Sequence, residues 1–138
     1  MKHWSSLLIF GTAILSSGAL LAQASPAQKL EGPKTWKYCE IDSPLYKGRC
    51  SHTIISAGEG AIDIHFLRWP GKPEGLTFVF GGDSLPAINL QAFILVVESM
   101  PGQERVNQVS GRCSYSASEI SCASYDGRFS AKASATQP

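Results

Sequence analysis

Two histidines and one carboxylate are the residues best suited to chemistry in this chain. His52 and His65 flank the reversal Gly58-Glu59-Gly60. A turn centred between Gly58 and Glu59 sets them opposite one another, with Asp63 diagonally across. Two imidazoles and a carboxylate on one side of a ribbon form a donor set for zinc or copper. The plainer alternative is a pair of solvated histidines on the outer side of a hairpin. It is favoured, because nothing in the spacing forces a third ligand into place.

Other catalytic constellations are poorly represented. A small hydrolase needs a nucleophile oriented beside a base. Serines are plentiful, but no G-x-S-x-G elbow is present. The acids Glu40, Asp42, Glu59, Asp63, Glu74 and Asp83 fall mostly at expected turns and edges, where a carboxylate is simply solvated. Gly81-Gly82-Asp83 lacks the flanking glycines or lysine of a phosphate cradle. No cofactor is implied, and an enzymatic role is not indicated.

Recognition has a more concrete candidate. The segment from Trp69 through Pro70, Gly71, Lys72, Pro73 and Glu74 to Gly75 reads as a stiff loop. Trp69, Pro70 and Lys72 are its candidate contact residues, since loops on rigid β scaffolds carry binding and tryptophan is enriched at interface anchors. The competing expectation is that Trp69 folds back and caps the core. The Met100–Arg105 loop is a second, weaker candidate.

These loops need a scaffold, and the cysteines help to define it. Cys39 and Cys50 are separated by ten residues, Cys113 and Cys122 by eight, unlike a zinc or redox C-x-x-C unit. Four cysteines allow three pairings. Hairpins centred on Pro44-Leu45 and on Ala117-Ser118 would oppose Cys39 to Cys50 and Cys113 to Cys122, so two local disulfides are expected.

Period-two patterning points to strands. Ala61–Arg68 places Ile62, Ile64 and Phe66 on one face, and Arg49–Ser56 reads as its partner. Trp36–Ile41 is expected to put Trp36 and Tyr38 toward the core and the Cys39–Cys50 bond on the other face. Leu76–Phe80 follows the Trp69 loop. In Ala87–Val97 the early part is compatible with a short helix, whereas Phe93–Val97 reads as one buried strand. Val109–Ser116, Ile120–Tyr125 and Arg128–Ala133 are three further strands, the last two joined by Asp126-Gly127. With that turn, Cys113, Tyr115, Ile120, Cys122, Ser124, Phe129, Ala131 and Ala133 share one face. The fold class expected is all-β, a small antiparallel sandwich or partly closed barrel of about seven strands with two disulfides.

The ends and the charge set the context. A basic start, an uncharged stretch from Trp4 to Ala22 and the exit Ala22-Gln23-Ala24 have the three parts of a secretory signal over residues 1–24. A flexible leader is expected over 25–35, a single β domain over 36–134 and a frayed tail over 135–138. Loss of the signal removes Lys2 and leaves acids and bases balanced. A neutral chain with scattered charges has no field to gather nucleic acid. The protein is therefore expected in the periplasm or secreted, without stable membrane insertion after cleavage. Its expected role is non-enzymatic binding, as an inhibitor or adhesive module, with a protein or glycan of the envelope or exterior as partner. Metal binding through His52 and His65 and a small hydrolase are the alternatives.

Overall fold

The computed structural model describes residues 32–58, 60–82 and 90–136. Across them the apolar alternation becomes two antiparallel six-stranded sheets, packed face to face. The described residues begin in the first sheet with β1 (Gly32–Thr35), and the chain crosses to the second for β2 (Tyr38–Asp42) and β3 (Lys47–Arg49). It returns for β4 (His52–Gly58), β5 (Ala61–Leu67) and β6 (Gly75–Gly81). It crosses again for β7 (Leu90–Phe93) and returns for β8 (Leu95–Met100) and β9 (Gln103–Asn107). The second sheet is completed by β10 (Gly111–Tyr115), β11 (Glu119–Ser124) and β12 (Ser130–Ser134). The strand orders are β1-β4-β5-β6-β8-β9 and β3-β2-β12-β11-β10-β7.

The all-β class and the two disulfides are as expected, but the described residues form twelve strands instead of about seven. Much of the difference comes from segments read as single strands that change sheets part-way. Arg49–Ser56 divides at Cys50 and Ser51 into the end of β3 and the start of β4. Phe93–Val97 divides at Ile94, which is 63% exposed, so that Phe93 belongs to one sheet and Leu95 to the other. The last four residues of the expected leader form β1, an edge strand paired with β4. The Met100–Arg105 loop contracts to a tight turn at Pro101-Gly102, and the rest of it enters β8 and β9. The signal at 1–24, residues 25–31 of the leader and residues 87–89 of the segment compatible with a helix lie outside the described residues.

Each sheet change also resets which residues point inward. Trp36 and Cys39 are both buried, whereas Tyr38 lies on the outer face and donates a hydrogen bond to Glu40. The expected grouping of Trp36 with Tyr38 is therefore corrected. The chain bends at Trp36-Lys37 as it passes between sheets, so counting by twos from Trp36 fails. For the same reason the Cys39–Cys50 bond touches the core instead of the outer face. Trp36 Nε1 donates to Thr53 Oγ1 at 2.8 Å, which satisfies both polar atoms within the interior.

No such crossing interrupts the C-terminal third, and its expected register holds. Cys113 pairs with Cys122, and Cys122 with Ala131. All eight residues assigned to the inner face are buried. The Asp126-Gly127 turn is held by Asp126, whose carboxylate accepts from the Ser124 hydroxyl, the Arg128 amide and the Arg128 guanidinium. Those hydrogen bonds, Ser124 foremost, lower its pKa to about 2. Gly127 supplies the positive φ that the turn requires.

The interior is centred on phenylalanines from both sheets. Phe78 meets Phe66 and Phe93 edge-on at centroid distances of 5.8 and 4.9 Å. One charged-type side chain joins this interior: Glu98 of β8 is 1% exposed. Its Oε2 accepts from the Leu45 amide at 3.0 Å and its Oε1 from Asn107 Nδ2 at 3.2 Å. Leu45 lies in the β2–β3 turn, so Glu98 links the two sheets. Replacing Glu98 by Gln presents an N–H to one of these donors, and denaturant unfolding should register a loss of about 1–3 kcal/mol. Gly75 opens β6 where an added Cβ would drive into the Phe66 carbonyl oxygen. Gly75→Ala should lower stability by about 3 kcal/mol or more in the same measurement.

Candidate functional site

The β4–β5 hairpin determines what His52, His65 and Asp63 can do together. Gly58 pairs with Ala61, so the turn is centred one residue later than the sequence suggests. His52 consequently faces Leu67, and His65 faces Ile54. The expected direct opposition of the two histidines is corrected by this shift of register. His52 is buried, and its Nδ1 is 2.6 Å from the Ser51 hydroxyl. Among the described residues, no three His, Cys, Asp or Glu side chains are grouped so as to hold a metal ion.

His65 and Asp63 do remain neighbours, because residues two apart on a strand share a face. His65 Nε2 is 3.9 Å from Asp63 Oδ2 and 3.4 Å from Ser56 Oγ. Its Nδ1 is 2.9 Å from Thr77 Oγ1 on β6. Hydroxyl, imidazole and carboxylate thus stand in a row. Acyl transfer would also require amide donors aimed at a developing oxyanion. Thr77 lies within β6, flanked by β5 and β8, whose ladders engage the neighbouring backbone. Burial pushes the His65 pKa below its ordinary value, opposed by the Asp63 carboxylate.

This row belongs to a groove on the outer face of the first sheet. The groove encloses about 430 Å³ and is bordered by Pro73 of the β5–β6 loop. Cross-strand register shows how it is built. One line of side chains runs Ile54, His65, Thr77, Val97, Val106. The next runs Ser56, Asp63, Val79, Leu95. A third runs His52, Leu67, Gly75, Ser99, Glu104. No lysine or arginine stands in these three lines. The outer face of the second sheet differs, since acids and bases alternate there, as in the Glu40–Arg49 and Asp42–Lys47 pairs.

Sequence reasoning passed over most of this groove. Its signal was present in Leu76–Phe80 and Leu95–Val97, where apolar residues fill both faces of a strand instead of one. Continuous apolar runs mark strands covered on both sides, yet here the outer side of Val79 and Val97 meets a groove.

Trp69, Pro70 and Lys72 occupy the loop at one end of the same sheet, and all three are exposed. Trp69 retains 53% of its surface, whereas Trp36 retains 6%. The loop is tied down at its base. The Arg68 amide donates to the Glu74 carbonyl at 2.9 Å, and the Arg68 guanidinium lies over the Tyr46 ring at 3.9 Å and 5.4 Å from the Trp69 ring. Arg68 Nη1 also reaches Met100 Sδ at 3.7 Å. Through Arg68, the β2–β3, β5–β6 and β8–β9 connections meet at one end of the sandwich.

Comparison with known proteins adds no assignment. No family model matches the chain, and neither a curated protein nor a solved structure was found to match it. No helix among the described residues is long and apolar enough to cross a membrane.

The lowered pKa of His65 gives a test of its burial. In the unfolded chain this histidine protonates near 6.5, whereas in the folded protein it resists protonation until lower pH. As pH falls below about 6.5, the unfolded state binds the proton first and stability declines, levelling off below the folded pKa. Unfolding free energies at pH 7.5 and 5.5 should therefore fall more for the wild type than for His65→Gln. Equal losses would show that His65 is not desolvated.

Proposed function

We propose that this chain is an exported, non-enzymatic binding protein that engages a protein or glycan partner through Trp69, Pro70 and Lys72, acting as an inhibitor or an adhesive module in the periplasm or outside the cell. The observation that carries the reading is the contrast between Trp36 and Trp69, the two tryptophans among the described residues. Trp36 is buried and hydrogen-bonded, whereas Trp69 stands more than half exposed on a loop whose base is anchored by Arg68. Holding a large aromatic surface in water on a restrained loop suits an anchor that becomes desolvated on capture, with little ordering cost. Lys72 adds a cation and Pro70 restricts the backbone beside it.

The export reading draws on the N-terminal pattern and on two disulfides, which persist in oxidising compartments. Neither alternative function has comparable support. His52 and His65 do not face each other across the hairpin, and the backbone beside the Thr77–His65–Asp63 row is engaged in strand ladders.

Affinity capture with disulfide-intact protein as bait, from the exporting organism and its surroundings, supplies the partner for the test. Trp69→Ala should weaken that partner at least about tenfold, some 1.4 kcal/mol, while the thermal unfolding midpoint stays nearly unchanged. Intact capture accompanied by a large loss of stability would reject the anchor role and make Trp69 a structural residue.

A further inference from the structure

The groove on the first sheet has a chemical character distinct from the Trp69 loop. Its floor carries the apolar side chains of Ile54, Leu67, Val79 and Val97, with His65 and Thr77 on the central line between Ile54 and Val97. Its charged groups are the Asp63 and Glu104 carboxylates, with His65 kept toward its neutral form by burial. Among the described residues, no lysine or arginine lines it to answer those two acids. The nearest ion pair, between His65 and Asp63, spans 3.9 Å and exists only when the imidazole is protonated.

We infer that this groove binds small amphiphiles consisting of an apolar chain and a cationic, ammonium-type head. The volume of about 430 Å³ falls within the range of small-molecule sites. Apolar contact would come from Ile54, Leu67, Val79 and Val97, and the head would be drawn to either the Asp63 or the Glu104 carboxylate, which stand on opposite sides of the central His65–Thr77–Val97 line. Anionic amphiphiles such as fatty acids meet the opposite field. A second copy of the chain laid face to face would bring the Asp63 and Glu104 carboxylates of both molecules together without a base to separate them, which disfavours self-association here. The inference does not depend on whether the Trp69 loop has a partner.

Three probes of equal chain length separate the contributions: octylammonium, octanol and octanoate, titrated into disulfide-intact protein and followed by calorimetry. Octylammonium should bind saturably, at least tenfold more tightly than octanoate, with octanol between them. The double variant Asp63→Asn, Glu104→Gln should reduce the octylammonium-to-octanol ratio at least fivefold with octanol affinity retained. Val97→Arg, which places a cation in the groove at an outward-facing position, should abolish octylammonium binding. Circular dichroism and unfolding curves establish that each variant is folded. Equal affinity for all three probes, no saturable binding of any, or an unchanged ratio in the double variant would each overturn the inference. So would a concentration-dependent dimer in sedimentation that Val97→Arg dissociates, because a second copy would then be the occupant.

Discussion

Two adjacent amides show the constraint under which this sandwich is built. The Cys50 amide donates to the Cys39 carbonyl in the second sheet, and the next amide, Ser51, donates to the Leu67 carbonyl in the first. Within a single peptide step the chain changes ladder without leaving a donor unsatisfied. Buried backbone groups must be paired, so a chain that passes between layers needs corners at which neighbouring amides serve different sheets. Ile94 plays the same part, its amide reaching the Val79 carbonyl of β6 just after the chain leaves β7. Because these corners are satisfied, the inner faces can meet and bury a common set of phenylalanines, isoleucines and small residues.

The corners also explain which parts of the fold could be read from residues alone. β10, β11 and β12 are joined by short turns and stay in one sheet, so a turn position fixes every facing pair from Cys113–Cys122 to Ile120–Ala133. Asp126-Gly127 marks its turn by residue type as well. By contrast, nothing in Lys37, Ser51 or Ile94 announces a change of layer. A corner needs a bend and a satisfied amide, not a dedicated side chain, so the alternation looked continuous where it was broken. The Gly58-Glu59-Gly60 reversal was recognisable, but two flanking glycines permit more than one turn centre. The one-residue difference was enough to slide His52 past His65.

The candidate sites divide along the same line. Loop chemistry was legible, because Trp69, Pro70 and Lys72 need only exposure, and proline and glycine punctuate the segment. The groove was not, because it exists only through cross-strand register. Ile54, Thr77 and Val97 are far apart in the chain and become one line when β4, β5, β6 and β8 are laid side by side. Asp63 and His65 keep the shared face that alternation gives them, whereas His52 is displaced from the position opposite His65.

Both covalent cross-links lie in the second sheet, whereas the loop of Trp69 and the groove are carried by the first. The molecule is therefore mechanically asymmetric. A reductant would free the β2–β3 and β10–β11 pairs of their cross-links while leaving every bond within the first sheet unaltered. Conversely, a force or a protease acting on the first sheet meets no cross-link to arrest it, only backbone ladders, the shared interior and the Glu98 clasp.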